Sequence, residues 1–296
     1  MKLSIHTDRL ERRFGAIAAV KMIAEAGFEA IDYSMYYSDS AVFGRGGRIL
    51  ASELKRVAES LGLVFNQSHA PFSDFRYGIE NEGHNRMIYN SICDSAVIAS
   101  RLGAKTLVVH PAVICPRLSR DARFEMNMEL FSRLTAFADN YGVGISIENL
   151  YPREREDGEM PLGRVCADTE ELIRYADALS DKGVTVCFDS GHAGLVGESA
   201  AGMVKALGER VKYIHLHDND FKTDAHTLPY LANTNFSSLC KALARVGYSG
   251  DVTLESDGFI SEMPDGLIPS ALLFSRSVAA YIRDEIIKHS KNASAY

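Results

Sequence analysis

Eight short apolar runs, each followed by a stretch with helical periodicity, recur along the 296-residue chain. Apolar runs of about four to eight residues, rich in Val, Ile and Leu, are typical of strands that a parallel sheet buries on both faces. Eight strand–helix units of about 37 residues match the number and size of the units in a (β/α)8 barrel. The predicted strands are Lys2–His6, Ala30–Tyr36, Leu63–His69, Lys105–His110, Val143–Asn149, Val184–Asp189, Val211–His217 and Asp251–Glu255.

The segments between these runs carry apolar residues at helical spacing and end at glycines. Phe236, Leu239 and Leu243 form one stripe of a predicted helix, which stops near Gly247. We therefore predict the α/β class and a single TIM-barrel domain over residues 1–296. A doubly wound open sheet is the alternative, but no glycine-rich phosphate loop follows the first strand.

The composition indicates a folded globular protein and disfavours a nucleic-acid partner. Hydrophobic residues make up 46% of the chain, and 32 Lys and Arg face 39 Asp and Glu, for a net charge of −7. No segment approaches the roughly 20 apolar residues that span a bilayer, and the charged N-terminus does not resemble a signal peptide, so we expect no membrane contact and a cytoplasmic location. Five scattered cysteines without a CxxC pair predict buried free thiols.

Six of the predicted strands end in histidines or carboxylates. Neighbouring positions in this series lie about 26 to 41 residues apart, close to one strand–helix unit. All of these side chains are therefore expected at the carboxyl-terminal mouth of the barrel, where barrel active sites lie. The residues are His69, His110, Glu148, Asp189 with His192 three positions later, His215 and Glu255.

A buried ring of carboxylates and imidazoles is costly without a counter-charge, and a divalent cation removes that cost. Mixed His and carboxylate ligands suit Zn²⁺ or Mn²⁺ best, with Mg²⁺ or Co²⁺ as alternatives. We predict that Glu148, Asp189, His215 and Glu255 are the ligands. Any one such residue is ordinarily a hydrogen-bonded rim residue, but six successive strand ends favour a metal centre. Candidates for further metal ligands are His69, His110, His192, Asp224 and His226.

Two long polar loops follow predicted strands and are expected to act as lids over the mouth, namely Tyr37–Arg48 and Tyr151–Ala167. They hold the arginine pairs of the rim, Arg45 with Arg48 and Arg153 with Arg155, which fit either a solvated loop or a phosphate clamp. Phe72 is expected either to form an apolar wall of the site or to pack in the core.

The motifs at the strand ends resemble the xylose-isomerase-like TIM-barrel superfamily. These motifs are His-Ala-Pro, His-Pro, Glu-Asn, Phe-Asp-Ser-Gly-His, His-Leu-His-Asp-Asn-Asp and Leu-Glu-Ser. The superfamily includes the sugar phosphate isomerase/epimerase group, ketose 3-epimerases, inosose dehydratases and zinc-dependent apurinic endonucleases. The resemblance implies one divalent metal on Glu148, Asp189, His215 and Glu255, with His192 contacting substrate oxygens.

The resemblance leaves three activities open. An isomerase or epimerase would use Glu148 and Glu255 as a pair that removes and returns a proton next to a carbonyl. His192, His217 and Lys222 would then contact the sugar or sugar phosphate. A keto-cyclitol or keto-acid dehydratase would use the same site, and an apurinic endonuclease would add zinc ions on the further candidate ligands. Barrels of this kind often pair, so a homo-oligomer is also an expectation.

Overall fold

The computed structural model describes residues 1–37, 39–72, 75–76, 81–112, 118–151 and 165–293. The side chains of residues 292 and 293 are not described. Eight parallel strands form one sheet, in the order β7-β6-β5-β4-β3-β2-β1-β8. The sheet closes where Leu216 bridges Leu254 in parallel. The strands are β1 (Leu3–His6), β2 (Ala30–Ser34), β3 (Val64–His69), β4 (Thr106–Val109), β5 (Gly144–Glu148), β6 (Thr185–Asp189), β7 (Val211–His215) and β8 (Val252–Leu254).

Helices follow the strands and cover the outside of the barrel. The predicted stripe of Phe236, Leu239 and Leu243 is buried on α9, as its helical spacing requires. The described helices are α1 (Asp8–Phe14), α2 (Ala16–Glu25), α3 (Gly47–Ser60), α4 (Glu82–Leu102), α5 (Arg120–Asp139), α6 (Thr169–Ala178), α7 (Ser190–Leu195), α8 (Ala200–Leu207), α9 (Phe236–Arg245), α10 (Asp257–Ser261) and α11 (Ile268–Ala293).

This architecture confirms the predicted (β/α)8 TIM barrel and excludes the open-sheet alternative. Every predicted strand is present, but several end one or two residues early. The strand predicted to reach His217 ends at His215, and the one predicted to reach Glu255 ends at Leu254. The apolar pattern continues past the last ladder hydrogen bond, because residues at the mouth stay buried after the backbone has left the sheet.

The described cysteines agree with the prediction of free thiols, since Cys93, Cys166, Cys187 and Cys240 are buried and unbridged. Cys115 lies outside the described residues, as does most of the predicted lid Tyr151–Ala167. The other predicted lid forms a short 3-10 turn at Ala41–Phe43 and then the first residues of α3. Among the described helices, none combines the length and the apolar character that crossing a membrane requires.

Candidate metal centre and active site

Four acidic and imidazole side chains from neighbouring strands meet at the mouth of the barrel. Glu148 ends β5, Asp189 ends β6, His215 ends β7 and Glu255 follows β8 by one residue. Each offers one ligand atom, and these atoms all lie within 4.8 Å of one another. All four side chains are buried. We call them the central group; they are the four residues that the strand-end pattern predicts as ligands.

Both glutamates of the central group face one nitrogen of His215. Glu148 Oε1 lies 2.7 Å and Glu255 Oε2 3.0 Å from His215 Nδ1. Burial raises the pKa of each glutamate, but the neighbouring cations and hydrogen bonds outweigh it and hold both pKa values well below the usual range. Burial lowers the pKa of His215, yet its anionic neighbours raise it well above the ordinary value. In the metal-free protein the group is therefore a compact ion cluster.

The donor set of the central group fits a divalent cation. Asp189 Oδ2 and Glu255 Oε2 are buried and make no hydrogen bond in the described part of the chain, although Glu255 Oε2 has the charge contact with His215 Nδ1 at 3.0 Å. Buried carboxylate oxygens are normally satisfied, so two that converge without partners point to a missing positive charge. Three carboxylates and one imidazole are ligands that Zn²⁺ and Mn²⁺ accept. These four residues could therefore hold one such ion.

Two further histidines predicted from strand ends contact the outer oxygen of Glu148. His69 Nε2 lies 3.1 Å and His110 Nε2 3.0 Å from Glu148 Oε2. His69 Nδ1 lies 2.7 Å from the carbonyl oxygen of Ala70, which assigns that nitrogen as a donor. Burial lowers the pKa of His110, which favours its neutral form. Both residues thus extend the central group on the β3–β4 side.

A second set of potential ligands lies on the other side of Glu255. His192, His217, Asp224 and His226 each offer an atom within 4.8 Å of the others, and we call them the peripheral group. His226 Nε2 lies 3.0 Å and His192 Nε2 3.9 Å from Asp224 Oδ2. Despite burial, Asp224 raises the pKa of His226 well above its usual value. The loop pair Asp224 and His226 therefore joins the mouth, where the sequence placed it.

The backbone at this second set is shaped for close packing. His226 has a φ of 43°, in the left-handed region that a non-glycine residue occupies only at a cost. Its ring stacks on His217 with the centroids 4.0 Å apart. His217 Nε2 lies 3.1 Å from Asp189 Oδ1, so the peripheral group and the central group adjoin through Asp189.

A cavity of about 430 Å³ opens onto both groups. Phe72 lines it, half-buried, and stacks on Tyr36 with the centroids 5.2 Å apart, which favours the wall over the core position. Asp257 also lines it, and burial raises the pKa of this carboxyl to about 6. Lys222 is exposed on the loop after β7 and is absent from the lining, so its position gives the predicted substrate contact no support.

The sequence matches a family model described as xylose isomerase-like TIM barrel over residues 20–277. The chain belongs to this family. An uncharacterized protein of Methanocaldococcus jannaschii is 30% identical over 193 residues, which cover 64% of this chain and 63% of that protein. An inosose dehydratase of Clostridium perfringens is 27% identical over 141 residues, 42% of this chain and 46% of that enzyme. The chain thus spans less than two thirds of the length of either relative.

Among solved structures, the crystal structure of a D-tagatose 3-epimerase-like protein is similar to this chain, with a TM-score of 0.75 and 21% identity. The superposition covers 97% of this chain and 99% of that one. At this identity the similarity establishes the fold. The similarity in fold extends over almost the full length of both chains.

Sequence analysis missed part of the site of this xylose isomerase-like barrel. His6 and Asp32 lie beneath the central group, where Asp32 Oδ2 is 2.9 Å from His6 Nε2 and 3.0 Å from His215 Nε2. Tyr36 donates to Glu255 Oε1 over 2.7 Å. No motif marks these residues, but a charged residue within an apolar strand run, as Asp32 is within Ala30–Tyr36, could have revealed one of them.

Proposed function

We propose that this barrel is a divalent-metal-dependent isomerase or epimerase of a ketose or sugar phosphate, in which Glu148 and Glu255 transfer a proton next to the carbonyl group. The observation that carries the proposal is the convergence of both glutamates on His215 Nδ1, over 2.7 and 3.0 Å. The predicted ligand set Glu148, Asp189, His215 and Glu255 would hold the cation, with Zn²⁺ or Mn²⁺ preferred and Mg²⁺ or Co²⁺ as alternatives.

A bound cation would polarise the ketone and its neighbouring hydroxyl and so lower the cost of removing the adjacent proton. Two carboxylates on separate strands can reach opposite sides of one carbon atom. One glutamate, ionised, accepts the proton from that carbon, and the other, protonated when the sugar is bound, gives its proton to the opposite face; the centre is inverted and the two glutamates exchange protonation states. The low pKa of both glutamates keeps at least one of them ionised and able to accept a proton near neutral pH.

The remaining site residues would orient the sugar. His192 Nδ1 lies 2.8 Å from the carbonyl oxygen of Asn149, so this nitrogen donates and Nε2 is left to face the cavity. Phe72 and Tyr36 offer flat apolar surfaces of the kind that pack against the C–H faces of a sugar. Substrate contact by His217 and Lys222 stays a prediction, as do the cytoplasmic location and a homo-oligomeric state.

In the endonuclease alternative, the peripheral group would hold a further ion through His192, Asp224 and His226. Three buried polar atoms support this second site. Asp224 Oδ1 and both ring nitrogens of His217 have no hydrogen-bond partner among the described residues. On the other side of the mouth, His69 and His110 could serve as additional ligands beside Glu148. The central group, His69, His110 and the peripheral ligands His192, Asp224 and His226 together make up the full set of metal ligands expected of a multi-zinc apurinic endonuclease.

A dehydratase is the second candidate function, and the inosose dehydratase relative favours it. The same base would remove a proton next to the carbonyl, and the hydroxyl on the following carbon would leave as water. An endonuclease has less support from charge, because the described rim arginines Arg45 and Arg48 are both exposed and Arg48 is paired with Asp94 at 3.2 Å. Arg153 and Arg155 lie outside the described residues.

The deciding experiment measures proton exchange directly. The protein is incubated in D2O with free and phosphorylated ketoses at saturating Mn²⁺, and deuterium next to the carbonyl is followed by NMR. We expect exchange and epimerisation with at least one ketose, and a loss of about 10²–10⁴-fold in Glu148→Gln and in Glu255→Gln. Glu171→Gln removes a buried carboxylate in the first turn of α6 that belongs to neither the central nor the peripheral group, and serves as the matched control.

Elemental analysis of protein purified without added metal separates the alternatives. One ion per chain with full exchange in both glutamine variants would contradict the two-glutamate scheme. Release of water from a keto-cyclitol would favour the dehydratase. Three zinc ions per chain, with salt-sensitive incision of an abasic duplex, would replace the proposal by the endonuclease.

A further inference from the structure

A row of buried polar residues lies one level below the central group. His6, Asp32 and Gln67 are neighbours in register on β1, β2 and β3. Tyr36, just beyond β2, adds its hydroxyl group to the same network. We call these four residues the support layer. All four are nearly or fully buried, and none has a role in the proton transfer proposed above.

Asp32 is the acceptor at the centre of the support layer. Its Oδ2 atom accepts from Gln67 Nε2 over 2.6 Å and lies 2.9 Å from His6 Nε2 and 3.0 Å from His215 Nε2. Thr253 donates to Gln67 Oε1 over 3.4 Å, which turns the amide nitrogen of Gln67 towards Asp32. Two hydrogen bonds, from Gln67 and His215, and a charge contact with His6 therefore converge on one buried carboxylate oxygen.

This arrangement selects which nitrogen of His215 carries a proton in the neutral ring. A carboxylate can only accept, so Asp32 holds a proton on His215 Nε2, whereas Nδ1 would give up its proton when a cation takes its place between Nδ1 and the two glutamates. The lone pair is then on Nδ1, the nitrogen that faces Glu148 and Glu255. A histidine that binds a metal through one nitrogen commonly donates its other N–H to a carboxylate, which fixes the tautomer and the ring orientation.

The same layer also holds Glu255. His6 Nδ1 makes a short contact with the Tyr36 hydroxyl, and that hydroxyl donates to Glu255 Oε1. With Oε1 engaged, Glu255 presents Oε2 to His215 and to the rest of the central group. Two members of the central group, on β7 and after β8, are thus oriented by residues of β1, β2 and β3.

We infer that Asp32, with His6, Gln67 and Tyr36, positions His215 and Glu255 for metal binding. These are positioning residues, because they act through His215 and Glu255. The inference rests on the proposed function for the metal and adds His6, Asp32 and Gln67, to which that proposal gives no role, and a second role for Tyr36. It predicts that removing the Asp32 carboxylate weakens metal binding more than it weakens the fold.

The test measures the affinity of metal-free protein for Mn²⁺ by calorimetric titration, alongside urea unfolding without metal. Asp32→Asn keeps the size of the side chain but places a neutral amide beside Gln67 Nε2 and His215 Nε2, and we expect a 10–100-fold loss of Mn²⁺ affinity. Tyr36→Phe removes only the hydroxyl and should lower the affinity in the same direction. Glu171→Gln removes a buried carboxylate elsewhere and should leave Mn²⁺ affinity unchanged.

The outcomes distinguish a failure of this inference from a failure of the proposed function. Mn²⁺ affinities of Asp32→Asn and Tyr36→Phe within twofold of the unmodified protein would overturn the inference and leave the proposed function intact. If Asp32→Asn does not fold, the result for Tyr36→Phe decides alone. Unmodified protein that binds no Mn²⁺, Zn²⁺, Mg²⁺ or Co²⁺ would overturn the proposed function and the inference together.

Discussion

Gly191 is a residue on which the packing of the mouth depends directly. A Cβ atom at this position would lie 1.9 Å from His217 Cε1 and 2.4 Å from Nδ1. His217 cannot retreat easily, because it is fully buried and stacks on His226. A glycine on α7 is thus what lets the imidazole of His217 lie against the helix that carries His192.

We expect Gly191→Ala to displace the His217 ring and to destabilise the protein by about 1–3 kcal/mol, since overpacking a filled site forces neighbours to shift. Urea unfolding measures the stability, and elemental analysis measures the metal retained. Gly202→Ala on α8 is the matched control, because its new Cβ would meet only Ser199 Cβ at 3.4 Å and alanine favours a helix. A Gly191→Ala protein as stable as the unmodified one would contradict this account.

Individual site residues could be predicted wherever they followed a strand within a motif, as Glu148 and Asp189 do. His6 and Asp32 were given no role in the sequence analysis, because neither lies in a motif like those at the ends of β3 to β8. A lone acid within a strand gives no sign of whether it faces the barrel interior or the helices. Its partners, His215 and Gln67, lie far away in sequence and become its neighbours only when the barrel closes.

At the scale of elements, Asn149 joins the ends of β5 and β6. Its Nδ2 donates to the carbonyl oxygen of Asp189 over 2.9 Å, and the Asp189 N–H donates to its Oδ1 over 2.7 Å. These two hydrogen bonds continue the pairing beyond the last ladder residues of the two strands. They hold Glu148 and Asp189, which belong to the central group, at neighbouring positions.

We expect Asn149→Ala to lower the free energy of unfolding by about 2–4 kcal/mol, because two buried backbone groups lose their partners. It should also weaken Mn²⁺ binding, since the ends of β5 and β6 are no longer tied. Asn140→Ala, at the exposed end of α5, is the control and should change stability by less than about 0.5 kcal/mol. Equal stability of the two variants would show that the strand ends do not need this tie.

The spacing of strands and helices was predictable because a parallel barrel repeats one unit and buries each strand on both faces. The exact strand ends were not, since Leu216 and Glu255 remain buried after the ladder has stopped. The apolar pattern in the sequence follows burial, whereas a strand ends where its hydrogen bonds to the neighbouring strand end. Pairing across the sheet depends on the neighbouring strand and leaves no mark in a single segment.

For the whole molecule, the mouth concentrates charge. Seven of the nine histidines of the chain lie in the central group, the peripheral group, the support layer or beside Glu148. The pKa values of His215 and His226 are raised, and those of Glu148 and Glu255 are lowered. Without metal, these imidazoles and carboxylates therefore stabilise the fold as ion pairs over a limited range of pH.

We expect metal-free protein to be most stable at about pH 5–6. The raised pKa values of the histidines contribute stability that is complete below about pH 6.5 and is lost as the pH rises further. The lowered pKa values of the glutamates contribute stability that is complete above about pH 4.3 and is lost at lower pH. Urea midpoints between pH 4 and 9 measure this dependence.

His226→Gln is the control for the alkaline side, where its midpoint should change less with pH than that of the unmodified protein. A midpoint of the metal-free protein that climbs steadily from pH 6 to 9 would show that these ion pairs do not govern its stability.

Barrel closure between β7 and β8 has a consequence for biogenesis. His6 of β1 contacts Tyr36, which in turn contacts Glu255 directly after β8. Leu216, directly after β7, bridges Leu254 of β8. The first and last strands therefore complete the mouth together. A nascent polypeptide that has not yet released β8 from the ribosome tunnel lacks Glu255 and one wall of the barrel. Acquisition of an ion at the central group would accordingly be a post-translational event that follows synthesis of the final strand.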